Sequence, residues 1–554
     1  MTGIPDCDGP LPQAFCFDFF LGHLPVPPSV LPADKRTAGL GSLSACRLSA
    51  ECFGKNQKKS LQKKGKSCII KTQKYHRCHK QKRIVERMVL VLRLFTVQKL
   101  LHGMEPCGAL PEERELLKTV VHIAWPSVLE SFLVSLVGVI DTMMVGGLGS
   151  YAISAVGLTT QPKFIGLAVF LSLNVAVSAI VARRKGEEDR ESANKVLQQA
   201  LVITGLLTLI VSVVCVVYAD PIIWFAGAKE DTHAYAADYF RIIMGGMVFN
   251  VITMVINAAQ RGAGNTKIAM RTNMVSNGVN IVFNYLLIEG HFGFPALGVQ
   301  GAAIATVIGT IAACGMSIMS VLHKDQFISL RKIGRLRFDR RTIGAICNIG
   351  SSTLAEQIFL RIGFLIYAII VANLGTTAFA AHQIGMNLMS ISFSFGDGLS
   401  VASVALVGQS LGEHRPDLAK VYGGACQRFG IVFACGLSVV FFTLGRWIFG
   451  LFAEEQAVLD YSMMIMSLLA VIVFLQIAQV IYSGCLRGAG DTKYTAFVSL
   501  ISVAIIRPLF GWLFCEPLGL GLTGAWIGLT LDQFARFVLT GIRFKSGRWT
   551  EIRI

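Results

Sequence analysis

Residues 131–149 read S-F-L-V-S-L-V-G-V-I-D-T-M-M-V-G-G-L-G. The run is apolar enough to lie in a bilayer, yet Asp141 sits inside it. A carboxylate at membrane depth costs roughly 2.5–3.5 kcal/mol on insertion scales. A chain keeps such a group where a partner, a wet cavity or an exchangeable cation offsets that cost. The rest of the sequence is the frame around this acid.

The 554 residues are 53% hydrophobic and only 15% charged. Mean hydropathy is +0.58. Soluble domains average about 25% charged residues, so this balance excludes an ordinary soluble protein. From Val120 onward, apolar runs of about 20 residues recur between short polar breaks, each long enough to cross a bilayer as a helix. The ten-residue alternation of a β-barrel is absent. The net charge of +17 does not point to nucleic acid. Much of it lies in the N-terminal segment, and more lies in loops on one side of the expected membrane, the topology signal of a polytopic protein. The 14 cysteines are scattered and suggest no disulfide framework. Within the spans they read as small packing residues.

Spans are expected at about 120–146, 152–182, 193–219, 235–259, 269–288 and 298–322, and again at 345–373, 378–408, 420–445, 462–485, 495–515 and 521–543. The fold class is therefore an all-α membrane protein, twelve transmembrane helices in two six-helix bundles. The N-terminal lobe is 105–322, a basic linker covers 323–344, the C-terminal lobe is 345–543 and a tail covers 544–554. Residues 105–118 read as a short amphipathic entry. Lys and Arg gather at 183–190, 261–271, 323–341, 412–420 and both termini, which all fall on one side of a twelve-span chain. Both termini are expected in the cytoplasm.

Residues 1–104 are unlike the rest. Pro and Gly are frequent up to Gly54, and basic runs follow, so disorder is expected. The opening M-T-G-I-P-D-C-D does not suit a signal peptide. Cys68, His76, Cys78 and His79 lack a zinc spacing and read as part of a solvated basic tail. A translation start at Met88 or Met104 is a further reading of the contrast.

The two halves match at a constant offset of 226 residues. Arg261-Gly-Ala-Gly-Asn-Thr-Lys267 recurs as Arg487-Gly-Ala-Gly-Asp-Thr-Lys493, Glu130 falls on Glu356, and Gly186-Glu187 falls on Gly412-Glu413. Duplication of a six-helix unit relates the lobes by an axis along the membrane normal. Two such lobes enclose a cleft that rocking opens to either side. No G-x-x-x-x-G-K-[ST] is present, and the R-G-A-G-x-T-K pieces read as tight interhelical turns, so no ATP-driven engine is visible.

The duplication, the paired R-G-A-G-[ND]-T-K turns, the I-D-T-M-M-V-G-G span and A-A-H-Q-I-G at 380–385 together resemble the multidrug and toxic compound extrusion (MATE) family, over about 120–540. The resemblance implies a drug and metabolite antiporter driven by Na⁺ or H⁺, with two bundles in a V around a central cavity. It implies an N-lobe cation site centred on Asp141, with Asn280 and Asn284 on the fifth span, Thr306 on the sixth and, as a weaker match, Asn250 on the fourth. Asp141, Asn280 and Asn284 are the Na⁺ candidates, all oxygen donors suited to a hard cation. The family's seventh-helix Glu is matched by Glu356. The tenth-helix Asp of some members is Gln476 here, a departure that leaves Glu356 as a proton carrier or a contact for cationic substrate. The substrate cavity is expected to hold Asp141, Glu356, Asp397 and Gln383.

Plainer readings stand beside these. Glu130 could snorkel or cap, Arg361 could pair with Glu356 or with another helix, and His382 reads as structural. Asp397, in S-F-S-F-G-D-G, is either functional or the mark of a helix break. Asn280 and Asn284 could simply bond neighbouring helices. The alternative function is a flippase for a lipid-linked saccharide, hinted at only by Arg361 and Arg507. A polytopic enzyme would need clustered acids or histidines at the membrane surface, and a major-facilitator transporter a G-x-x-x-D-R-x-G-R loop. Neither pattern is found. Expected partners are a small molecule and the bilayer, in a monomer at the plasma membrane, with no cofactor beyond the coupling ion.

Overall fold

The computed structural model describes residues 96–553, except 102–103, 324–325, 333–338 and 453–455. All of these lie in one unit, residues 91–554. The expectations for residues 1–95, including the zinc spacing, the signal peptide and disorder, fall outside the described residues.

Among the described residues, twelve helical passes follow one another. In the N-terminal lobe they are α1 (Glu113–Gly146), α2 (Ser150–Gly186), α3 (Arg190–Val217), α4 (Glu230–Gly245 and Met247–Gly262), α5 (Thr266–Ile288) and α6 (Gly298–Leu322). In the C-terminal lobe they are α7 (Arg340–Ala372), α8 (Thr376–Gly412), α9 (Pro416–Gly450), α10 (Ser462–Gly488), α11 (Thr492–Ser499, Leu500–Ile506 and Arg507–Cys515) and α12 (Gly521–Ser546). Ten are long and apolar enough to span a membrane if α4, bent by 47° at its break, counts once. The bend falls where Gly245 and Gly246 adjoin, and a Cβ on Gly246 would stand 2.5 Å from Val307 Cγ2. Paired glycines are an ordinary cause of a kink. The two helices that fall short of the apolar criterion are α5, with Asn273, Asn277, Asn280 and Asn284, and α12, with Asp532, Arg536 and Arg543. Their polarity faces protein rather than lipid: Asn280, Asn284 and Asp532 are all buried.

The repeat is visible in the backbone. Left-handed residues recur 226 positions apart at Gly149 and Gly375, at Glu188 and His414, and at Gly264 and Gly490. The last pair sits inside the R-G-A-G turns, where φ of +85° and +86° favours glycine. These pieces are interhelical turns, as their spacing suggests.

The lobes meet most closely where equivalent glycines face each other. A Cβ on Gly186 of α2 would lie 2.9 Å from Gly412 Cα of α8, and one on Gly412 would lie 2.8 Å from Gly186 Cα. Real Cβ atoms do not approach so near, so only glycine lets these backbones touch. Both glycines end their helices at the end of the molecule where the basic turns lie. Toward the opposite end, Gly138 of α1 and Gly157 of α2 face open space. The lobes thus touch backbone to backbone at the basic end.

Several boundaries differ from those expected. The helix of α1 begins at Glu113 and runs unbroken through the entry segment. The linker ends sooner, because Asp339 caps α7 by accepting from the N–H groups of Arg341 and Thr342. The Thr342 hydroxyl, with those N–H groups, holds the Asp339 carboxyl below its usual range. Part of the N-terminal segment is ordered: Val97–Leu100 is a helical turn, and Leu100 is fully buried against α9 at Gly424. The C-terminal tail docks rather than dangles. Trp549 is buried, stacks on Phe544 at 5.2 Å and donates to its carbonyl. Arg183 of α2 donates to the Ile552 carbonyl at 2.8 Å.

Candidate functional site

Four of the residues expected around the cation come together. Asn284 donates from Nδ2 to Asp141 Oδ1 at 2.8 Å. Asn280, one helical turn earlier on α5, shares the same face. Its amide bonds Thr306 Oγ1 of α6 at 3.1 Å. The Asn280 amide turns Nδ2 to Asp141 Oδ1, donating at 2.8 Å, while its oxygen accepts from Thr306 Oγ1 at 3.1 Å. The carboxylate and amide oxygens and the hydroxyl are oxygen donors of the kind a hard cation takes. Close packing of α5 on α6 fixes the geometry, since a Cβ on Gly309 would stand 3.2 Å from Asn280 Cβ.

Asn250 does not bond Asp141. It lines a cavity of about 40 Å³, room for little more than a water, together with Thr306 and Lys163. Lys163 is a functional candidate that sequence reasoning missed. It lies on α2, close enough to Asp141 to act on it through space, yet it makes no ion pair within 4.0 Å. The signal was present: a lysine inside the 152–182 span is rare enough in a membrane to be a candidate on its own.

Glu356 sits elsewhere and is spoken for. Arg487, from the second R-G turn, donates to its Oε1 at 2.5 Å, and Thr495 and Ser499 donate at 3.0 and 3.4 Å. Glu130 repeats this arrangement in the N lobe, with Arg261 at 2.9 Å and Asn273 at 2.5 Å. All three positions are 226 residues apart in the two halves. Two expectations are corrected, and Glu356 is found ion-paired with Arg487 rather than free. Glu130 neither snorkels nor caps. Arg361 does not pair with Glu356; its guanidinium lies 4.6 Å from the Phe164 ring of α2. Removing one partner of a buried pair costs about 3–5 kcal/mol, because the other charge is left stranded. Arg487 keeps 23% of its side chain exposed, so Glu356→Ala is expected near the lower end, about 3 kcal/mol, with Glu356→Gln milder. Thermal unfolding of the two purified variants checks this order.

A larger cavity, about 320 Å³, lies between α1 and α8. Its polar lining includes Glu130, Ser131, Arg261, Ser394 and Asp397. Of the four residues expected to face substrate, only Asp397 lines it. Asp141 and Glu356 lie in the clusters already described, and Gln383 is exposed on α8 outside both cavities. Asp397 accepts from Ser131 across the lobes at 3.3 Å, and the Ser135 and Ser394 hydroxyls meet at 2.5 Å. The helix-break reading of Asp397 fails, because α8 runs unbroken from Thr376 to Gly412. The neighbouring glycines serve packing: a Cβ on Gly398 would stand 2.6 Å from Val128 N of α1. His382 is buried edge-on to Tyr367 and Trp526.

Acids within the spans thus divide. Glu130, Glu356 and Asp532 each hold an arginine within 4.0 Å. Asp141 and Asp397 hold none among the described residues. Among those residues no cluster of three His, Cys, Asp or Glu could bind a transition metal.

Comparison with known proteins bears on this arrangement. The family model described as MatE matches residues 126–286 and 353–513, one copy per lobe. A probable multidrug resistance protein NorM of Thermotoga maritima is 27% identical over 447 residues, covering 80% of this chain and 95% of its own. An uncharacterized transporter, YisQ, of Bacillus subtilis is 24% identical over 444 residues, covering 80% and 97%. Among solved structures, a crystal structure of MATE in complex with MaD3S superposes with a TM-score of 0.72 at 21% identity, covering 82% of this chain and 98% of that one. The outward-facing conformation of a multidrug resistance MATE family transporter also gives 0.72 at 21% identity, covering 80% and 100%.

Proposed function

This chain belongs to the MatE family, and from that premise we propose that it is a cation-coupled antiporter, driven by Na⁺ or H⁺, that exports drugs or cationic, amphipathic metabolites by alternating access. The observation that carries the reading is Asp141. It is a carboxylate within a span, bonded to amides and, among the described residues, with no arginine or lysine within 4.0 Å. Such a group can exchange a proton for a metal cation, whereas Glu130, Glu356 and Asp532 are already neutralised. The cavity between α1 and α8 supplies the substrate side, with Asp397 as the acid that meets a cationic group. Lys163 stands near Asp141 as a tethered competitor for the same charge.

The basic turns and both termini lie in the cytoplasm of a monomer in the plasma membrane. The backbone contact of Gly186 with Gly412 is then at the cytoplasmic end. The saccharide flippase reading loses one of its two hints, because Arg507 is spent on Asp532.

The deciding experiment uses everted vesicles carrying the full chain and a fluorescent cationic dye. Efflux is measured with a sodium gradient alone and then with a proton gradient alone. One of the two is expected to drive dye movement. Movement that needs ATP and neither gradient would overturn the reading.

A further inference from the structure

Each half of the repeat can serve as a template for the other, and the counterpart of the Asp141 pocket proves to be filled. The offset of 226 holds through Asn273 and Ser499, which bond Glu130 and Glu356 respectively. Directly afterwards α11 enters a π-helical segment, Leu500–Ile506. Such a segment takes up an extra residue. Beyond it Asn280 corresponds to Arg507. The turn before the last helix is shorter in the C lobe, so G-V-Q-G-A-A-I from Gly298 aligns with G-L-T-G-A-W-I from Gly521. Both opening glycines are left-handed, at φ +55° and +53°. Gly309 therefore corresponds to Asp532. On α7, Tyr367 takes the place of Asp141.

The contacts agree with this register. Gly309 packs on Asn280, and Asp532 accepts from Arg507 Nε at 2.9 Å and Nη2 at 2.5 Å. Asn280 stands against Asp141, and Arg507 Cζ lies 5.7 Å from the Tyr367 ring. Where the N lobe offers a carboxylate, the C lobe offers a phenol whose hydroxyl donates to the Ala525 carbonyl. Where the N lobe has an amide that donates to a carboxylate, the C lobe has a guanidinium, which does not deprotonate in proteins.

We infer that Arg507 is a built-in cation: its guanidinium permanently fills the C-lobe counterpart of the Asp141 pocket, with Asp532 as its carboxylate, so that by this route only the N lobe takes an exchangeable ion. The Arg507 and Asp532 side chains are 1% and 0% exposed, so neither leaves for water. Arg536 adds a second clamp on Asp532, at 3.1 and 2.9 Å, which keeps that acid charged and in place if Arg507 is shortened. What remains then is a guanidinium-sized hole between Asp532 and the Phe364 and Tyr367 rings, the former 4.7 Å from Arg507 Cζ. The inference rests on the reading of Asp141 as an ion pocket, but its test does not use transport.

Purified full-length protein in detergent is unfolded by heat with tryptophan fluorescence as the readout. Arg507→Ala is expected to unfold several degrees below the unsubstituted protein. Millimolar methylguanidinium is expected to restore at least half of that loss, and tetramethylammonium at equal ionic strength none of it. Adding Asp532→Ala should remove the rescue. An Arg507→Ala protein that methylguanidinium does not stabilise, or that it stabilises equally without Asp532, overturns the inference. If Arg507→Ala does not fold, Arg507→Lys and Arg507→Gln decide: the lysine form should be the more stable, and equal stability overturns the inference. Rescue in a chain that moves no dye would sink the antiport reading and leave this one standing. Asp141-dependent transport without rescue would do the reverse.

Discussion

Asp141→Asn should lower gradient-driven efflux by about 100-fold, the equivalent of about 3 kcal/mol lost when a charge-assisted contact becomes a neutral one. The substitution keeps the shape of the side chain and leaves an amide oxygen that Asn284 can still bond at the observed 2.8 Å. Folding is therefore expected to survive, and the amount of protein in the membrane should match the unsubstituted form. What is lost is the negative charge for which a proton and a metal cation compete. The measurement is dye efflux at a fixed gradient, normalised to protein by immunoblot. Full transport by this variant would remove Asp141 from the coupling step. Glu130→Gln makes a useful comparison: its charge already belongs to Arg261, so the main consequence there is a weaker tie between α1 and the end of α4.

The second large effect is conformational. Gly412→Val should abolish transport by preventing the basic end from closing. A Cβ there would stand 2.8 Å from Gly186 Cα and would overlap the Arg183 carbonyl oxygen. Those neighbours are backbone and cannot swing aside as a flexible side chain would. Overpacking of this kind costs about 1–3 kcal/mol or more, enough to invert a balance between two conformers that differ by a few kcal/mol. A cysteine placed at Ser131, in the cavity between α1 and α8, reports the change in a background lacking the native cysteines. Its labelling by a membrane-impermeant maleimide from the basic side should rise severalfold in Gly412→Val. Unchanged labelling with intact transport would show that the seal lies elsewhere. Gly138→Val is the control, because its Cβ meets open space.

The parts legible in advance share one property: they repeat, or they break a strong pattern. Duplication is readable from Arg261 and Arg487 because identical turns need identical glycines. Asp141, Asn280 and Asn284 are readable because polar groups inside apolar runs are costly and therefore few. The partner of Glu356 was not readable in the same way. Arg487 lies 131 residues further on, and helical periodicity says which face a residue occupies but not which helix lies opposite. The π-helical segment of α11 was hidden for a related reason. Nothing in L-I-S-V-A-I-I differs from ordinary apolar helix, and its effect shows only in the partners of the residue that follows. Docking of the C-terminal tail escaped because a short polar stretch with one tryptophan has no periodicity at all. Lys163 is legible as a charge inside an apolar run.

The meeting of Gly186 with Gly412 has a consequence for how the molecule is assembled. Equivalent atoms of two copies touching across an axis form an isologous contact, the kind that joins identical subunits in a twofold dimer. A surface of this sort is complementary to itself and does not depend on a peptide connection for its fit. The covalent bridge between residues 323 and 339 therefore raises the local concentration of one half around the other and need not dictate how they dock.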